Sequence, residues 1–519
     1  MISYLKTSLL LLFVTAFLFA CEGSYDSLVE DQLEENPAPE PISGDAGSAD
    51  FSNYVAIGNS LTAGYMDGAL YNMGQQYSLA ALLHQQMQYA GAPDNFNQPD
   101  INSERGFNTS VQQPQNGTIL GRFKLDTSIP GPSPTVGGDE IQPYGGNTSE
   151  LNNFGVPGIV VDQLLIADTG NPQTQAFNPF YARFASAPGS STILDDVIAT
   201  QPSFFTLWIG NNDVLGYAVS GASNDNLLTD TGPFTNQFST VISQLEDTGT
   251  KGVVADIPPL LGVPYFQAIS YDAIPLDEET ANQLNAGYTD YNNGVNQAEQ
   301  GGIISEDEAE RRQIEFTAGD NAFVIIDESL TDVPNLPKYR QAEPTDLFTL
   351  PLGSILGENL GNGAYGLQDQ VTDQYVLIPQ EQQKIETTRN QFNQIIANTI
   401  AGNDDIVLYN TNNSDGAFAD LFGIDGELGI RVQGTLLQPD FSPNGVFSTD
   451  GIHPNARGNA ILANEFIEVI EEAFGASIPE VDVLNLPSVQ LCREENSVCL
   501  SKQQQKAVSE NITFGISAK

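Results

Sequence analysis

Residues 55–65 read Val55-Ala56-Ile57-Gly58-Asn59-Ser60-Leu61-Thr62-Ala63-Gly64-Tyr65. A short apolar run that can form a buried strand passes through Gly58 and Asn59 to a serine, and then into residues suited to a helix start. Packing gives a hydroxyl no reason to stand at the end of a buried strand. Ser60 is therefore read in one of two ways, as a helix cap or as a displayed nucleophile. A nucleophile needs a base, a group that orients the base, and donors for a developing oxyanion.

The sequence offers few bases. It contains two histidines. His84 lies in LAALLHQQMQ (79–88), an amphipathic stretch in which an imidazole reads as an ordinary half-buried or surface residue. His453 lies in FSTDGIHPNARGNA (447–460), three residues after Asp450. An Asp-x-x-His on a loop lets the carboxylate fold back and hold the Nδ1 proton, which leaves Nε2 free as a base.

Two further stretches complete the set. In LWIGNNDVLGY (207–217) an apolar run again ends in glycine, and Asn212 is placed to offer an amide N–H to an oxyanion, or else to form an Asn-Asn-Asp turn. In NNFGVPGIVVDQLL (152–165), Gly155 and Gly158 permit backbone N–H groups to come close to a ligand.

The four stretches in this order resemble the SGNH or GDSL hydrolase family. The matching blocks are Gly58-Asn59-Ser60-Leu61-Thr62, Asn153 to Gly158, Gly210 to Asp213, and Asp450 to Pro454. The resemblance implies Ser60 as nucleophile, His453 as general base and acid, and Asp450 as its orienting carboxylate. It implies oxyanion donors at the Ser60 N–H, the Gly158 N–H and the Asn212 side chain, with Gly155 as the alternative to Gly158. No cofactor and no metal is implied. Asn59 stands where the family usually has Asp. A G-x-S-x-G elbow of the α/β-hydrolase kind is excluded, because Thr62 occupies the second glycine position.

The implied fold is α/β, a three-layer α/β/α sandwich with about five parallel strands in flavodoxin-like order. The chain's own alternation of apolar runs and amphipathic stretches agrees with it. Strands are expected at 53–58, 203–210, 252–257 and 405–410, and a further one, of an inserted element, at 322–327. Helices are expected at 77–91, 232–249, 378–402 and 456–475, with a capping box at Ser305–Glu308 opening another. The hydrolase domain is expected over 51–480, interrupted by long insertions at about 92–150 and 258–376, with a C-terminal extension at 481–519.

Composition narrows the partners. With 18 Lys plus Arg against 66 Asp plus Glu the formal net charge is −48. Such a chain repels phosphate backbones, so nucleic acid is excluded and polyanionic substrates are disfavoured. The same charge favours a soluble monomer. Leu9 to Ala20 is an apolar run of signal-peptide length, and Leu18-Phe19-Ala20-Cys21 resembles a bacterial lipobox. It implies a signal peptide at 1–20, lipidation of Cys21, and attachment to the bacterial cell envelope at the outer membrane, facing the periplasm or the exterior. Residues 21–50 are acidic and Pro-containing, the composition of a disordered tether. Cys492 and Cys499 are expected as a small disulfide, because too few His and Cys exist for a zinc shell.

The expected activity is that of an exported serine esterase or lipase acting on carboxylic esters, with acyl lipids as the leading substrates. A carbohydrate O-acetyl esterase is the alternative enzyme. A binding or scaffold protein on a hydrolase fold, without turnover, is the alternative of another class.

Overall fold

The computed structural model describes residues 43–126, 131–424, 426–492 and Cys499. The apolar run at 9–20, the lipobox with Cys21 and the tether up to residue 42 lie outside the described residues, as do residues 501–519.

Five parallel strands form the central sheet: β1 (Tyr54–Gly58), β2 (Asn153–Gly155), β3 (Phe204–Trp208), β4 (Lys251–Ala255) and β5 (Ile406–Tyr409). Their order across the sheet is β5-β4-β3-β1-β2, the flavodoxin-like 2-1-3-4-5 arrangement. All five residues of β1 and of β3 are buried. This explains their continuous apolar runs, since a parallel sheet is covered on both faces. The order reverses between β1 and β3. The chain leaves β1 for one edge and returns at β3 for the other, and ligands bind at such a switch point beyond the carboxyl ends of the strands.

The helices that frame the sheet and the site include α1 (Ser60–Ala63), α2 (Leu79–Met87), α3 (Asn212–Val219), α4 (Thr231–Glu246), α5 (Glu278–Gln300), α6 (Pro379–Ile400) and α7 (Ala456–Phe474). The 456–475 pattern becomes α7, which ends at Gly475 in the left-handed conformation, as a helix C-terminus favours. Alternate residues of β3 face α7: the Trp208 ring centre lies 5.8 Å from that of Phe466, and Phe204 lies 5.6 Å from Phe474. α4 and α6 pack on each other through Phe234 and Phe392, stacked at 3.8 Å. Among the described residues no helix is long and apolar enough to cross a membrane.

Several expectations change. The 152–165 stretch, for which no strand is expected, contains β2; at three residues it is too short to show an apolar run, yet it pairs with β1 from Ala56–Asn153 to Gly58–Gly155. The Asn-Asn-Asp stretch opens α3 instead of forming only a turn. The 258–376 excursion contains the 23-residue α5 and an apolar cluster of its own that includes Tyr288, Phe323, Ile325, Phe348 and Val371. The expected strand at 322–327 appears as Val324–Ile326, paired antiparallel with Tyr339–Gln341. Ser305 caps the helix Glu306–Arg312, its Oγ accepting from the Glu308 N–H at 3.2 Å.

The ordered body also begins before residue 51. Asp45 and Ser477 exchange backbone hydrogen bonds at 2.9 and 2.8 Å, and the Ser48 N–H donates to Phe474 O at 2.8 Å. Residues 44–50, read from composition as tether, are tied to the end of α7 by these backbone bonds, which composition cannot reveal. In the 92–150 insertion, Leu120–Asp126 and Gly131–Val136 form an antiparallel pair. The segment past 481 joins it: the Leu125 N–H donates to Gln490 O and the Cys492 N–H to Leu125 O, each at 2.9 Å. Cys492 and Cys499 are joined as a disulfide.

One contact ties sheet and site together. A Cβ on Gly155 would lie 2.2 Å from the Ala63 nitrogen and 2.6 Å from its Cα, so α1 packs directly on β2. The obstructing atoms are backbone and cannot turn aside. Gly155→Ala is expected to destabilise the protein by about 2–3 kcal/mol, read as a lower urea midpoint at unchanged slope.

Candidate active site

Ser60 owes its position to two neighbours. A Cβ on Gly58 would approach Trp208 O to 2.4 Å and Thr62 Oγ1 to 2.3 Å, so only glycine lets the chain turn out of β1 against β3 at this point. Asn59 then caps α1, its Oδ1 accepting from the Leu61 N–H at 3.1 Å. Asn and Asp serve equally well in that capping role, which accounts locally for GNSL in place of GDSL. Ser60 is the first residue of α1 and is buried.

The structure brings Ser60, His453 and Asp450 into one row. Ser60 Oγ lies 2.8 Å from His453 Nε2, and His453 Nδ1 lies 3.0 Å from Asp450 Oδ2. Asp450 Oδ1 also accepts from the backbone N–H groups of Ile452 and His453, each at 2.9 Å, while Oδ2 accepts from the Gly68 N–H at 3.0 Å. Burial pushes the Asp450 carboxyl up. The charge of the His453 ring and the hydrogen bonds from His453 and Gly68 outweigh it and hold the group below the ordinary carboxylate value. A hydroxyl bonded to an imidazole whose far nitrogen faces an ionised carboxylate can hand its proton to the ring.

The other motif residues surround this row. Asn212 Nδ2 donates to Ile159 O at 2.8 Å, and the Val161 N–H donates to Asp213 Oδ2 at 3.0 Å. These two bonds lock the loop after β2 to the start of α3, so the second and third motifs act as one unit. The two glycines differ sharply. The Gly155 N–H is taken by Asn153 Oδ1 at 2.8 Å. Gly158 is exposed with φ +80°, and its N–H has no partner among the described residues. His84 is elsewhere: it is buried on α2, stacked on Phe96 at 4.9 Å, and burial pushes its imidazole down to about 4.

The row opens on a cleft. Its polar lining is Asn59, Ser60, Asn211, Asn212 and His453, and the remainder is apolar, including Leu215, Val263, Phe418, Leu421, Phe447 and Ile461. The walls at 417–421 and 446–447 escaped the sequence reading, because isolated apolar residues in a loop-rich stretch carry no periodic signal. Asp67, which fastens the loop before Asp450 through Thr449, was also missed. The signal that would have found it is the Asp67-Gly68 pair, a turn signature.

A family model described as GDSL-like lipase/acylhydrolase matches residues 54–466. The chain belongs to this family, the GDSL or SGNH hydrolases. No curated protein and no solved structure matches the chain.

The depressed Asp450 value has a consequence for stability. A carboxyl whose folded-state value lies below its unfolded value, about 4, adds stability that is fully present above that pH and is lost as the pH falls through the folded value. Compared with Asp450→Asn by urea denaturation, the protein is expected to be more stable at neutral pH. That advantage should shrink steadily below about pH 4.

Proposed function

We propose that the protein is a serine esterase that hydrolyses carboxylic esters with an apolar acyl group, through Ser60, His453 and Asp450. The observation that carries this reading is the row with 2.8 and 3.0 Å spacings opening on an apolar cleft. Ser60 Oγ attacks the ester carbonyl carbon as His453 Nε2 accepts its proton. Asp450 fixes the ring through Nδ1 and stabilises the imidazolium that forms. The tetrahedral oxyanion is met by the Ser60 N–H, the Gly158 N–H and the remaining Asn212 amide hydrogen. Gly158 is preferred to Gly155, whose N–H is already bonded to Asn153. His453 then protonates the leaving alcohol. Water, deprotonated by the same ring, attacks the acyl-enzyme and releases the acid.

The cleft lining supports acyl groups over acetylated sugars. A sugar groove built by the 258–376 insertion would present aromatic and polar side chains. From that segment the cleft receives Pro258, Pro259, Leu260 and Val263. Each methylene taken from water into such a pocket contributes about 0.8 kcal/mol, or roughly fourfold in kcat/KM.

The full-length protein assayed on p-nitrophenyl esters from acetyl to palmitoyl is expected to gain up to about fourfold in kcat/KM per methylene until the pocket is filled. Ser60→Ala is expected to lose about 10³-fold or more. An acetyl optimum would favour the O-acetyl esterase. Silence of the folded protein across the series would favour a scaffold without turnover.

We further propose that the protein is held on a bacterial outer membrane by lipid on Cys21. The lipobox-like Leu18 to Cys21 supports this attachment, with the acidic segment after it as spacer. Expressed in a bacterial host, the protein is expected to partition into the detergent phase of a Triton X-114 extraction, and Cys21→Ala into the aqueous phase.

A further inference from the structure

The loop carrying Asp450 and His453 is fastened to a turn that supplies no atom to the proposed reaction. After α1, Met66 and Ala69 exchange backbone hydrogen bonds at 3.2 and 3.1 Å, and the two residues between them, Asp67 and Gly68, have φ +55° and +73°. Asp-Gly is the pair that a tight reversal with two positive φ values calls for. The turn makes four bonds to the loop. The Gly68 N–H donates to Asp450 Oδ2, the oxygen that faces His453, at 3.0 Å. The Asp67 N–H donates to Ser448 Oγ at 2.9 Å, and Asp67 Oδ1 accepts from the Thr449 N–H at 2.9 Å and from Thr449 Oγ1 at 2.6 Å.

The second Asp67 oxygen faces a cation. It accepts from Tyr71 Oη at 2.7 Å and lies 3.4 Å from Arg122 Nη1, whose guanidinium stacks 4.3 Å from the centre of the Tyr71 ring. Arg122 and Asp67 are both buried. Arg122 comes from the Leu120–Asp126 strand of the 92–150 insertion and is held by Glu104 O at 3.2 Å and Gln490 Oε1 at 2.7 Å. The insertion thus delivers the Arg122 guanidinium to the back of the site, with Lys124 and Arg105 near it.

We propose that Asp67 is a positioning residue for the proposed base: it holds Asp450 aimed at His453 and adds its own negative charge to the field at the ring, while Arg122 offsets part of that charge. The inference rests on the reading of His453 as the base. Around the ring stand Asp450 on its own loop, Ser60 from α1, and Tyr65, whose ring centre is 4.9 Å away. Behind Asp450 stand Asp67, Tyr71 and Arg122. Burial keeps Tyr65 and Tyr71 protonated. The charges that act are therefore those of Asp450, Asp67 and Arg122, with Lys124 and Arg105 of the same insertion adding positive charge beside Arg122.

The signs follow directly. Asp67→Asn keeps the side chain's size, its tolerance of positive φ and an acceptor for Thr449, and removes one negative charge. The imidazolium is then less favoured, so the acid limb of the kcat/KM profile for p-nitrophenyl butyrate moves to lower pH by a few tenths to about one unit. Arg122→Gln removes the cation paired with Asp67, leaving Lys124 as the remaining positive charge that acts on it, and moves the same limb to higher pH, whereas Arg122→Lys leaves it in place. A purely structural role would lower activity in step with the folded fraction and would move neither limb.

The experiment measures these profiles on full-length variants, with thermal midpoints recorded and Ser60→Ala alongside. Opposite shifts for Asp67→Asn and Arg122→Gln are the expected result. Shifts of one sign, or limbs that coincide with wild type, would overturn the inference. Turnover retained by Ser60→Ala would overturn the esterase reading itself, which separates the two failures. If Asp67→Asn does not fold, the shift in Arg122→Gln against Arg122→Lys decides.

Discussion

The hydrogen bond between Ser60 Oγ and His453 Nε2 is the constraint around which the molecule is arranged. It joins residues 393 apart in sequence, so it exists only if the first strand and the last loop of the body meet at one edge of the sheet. The strand order does this. β1 lies inside the sheet between β2 and β3, and its carboxyl end is flanked by the loop that bears Gly158 and by the start of α3 at Asn212. The last loop is brought over that edge by α7, which packs on α2 and on the aromatic residues of β3 and β5. Binding energy for the sheet and geometry for the site come from the same contacts.

Around that bond the chain separates two environments. Its overall composition is strongly acidic, yet the cleft beside Ser60 is lined almost wholly by aliphatic and aromatic side chains. Near the row the Asp450 carboxylate is met by the His453 ring and by backbone N–H donors, and Asp67 is paired with Arg122. Removing water from charges strengthens their interaction and makes an unpaired one costly. A buried carboxylate behind a histidine is therefore tolerable only with the dense set of donors that Asp450 has. The insertions contribute differently. One brings Arg122 to the back of the site, and the start of the other supplies part of the cleft wall.

Four of the five sheet strands were legible in the sequence because each contains a short apolar run ending near a glycine or a polar turn. Ser60, Asp450 and His453 were legible through the resemblance of the four ordered blocks to the SGNH family, since neither a strand-end serine nor an Asp-x-x-His is decisive alone. β2 was not, since three residues make no periodic pattern. α5 was not, since of its 23 residues only Ala281, Leu284, Tyr288, Val295 and Ala298 are buried, and its many Asn and Gln residues read as loop. The choice between Gly155 and Gly158 could not be made from spacing. The proposed preference for Gly158 comes from asking where each backbone N–H goes: one is bonded to Asn153, and the other has no partner among the described residues.

The account depends most on Ser60 being activated by His453. The direct measurement is covalent labelling of the intact protein by a serine-directed fluorophosphonate, with the modified residue located by mass spectrometry in wild type and in His453→Ala. The account predicts stoichiometric label on Ser60 in wild type and labelling slowed by at least about 10³-fold in the folded variant. An unlabelled Ser60 in folded protein, or labelling that proceeds equally fast without His453, would contradict it.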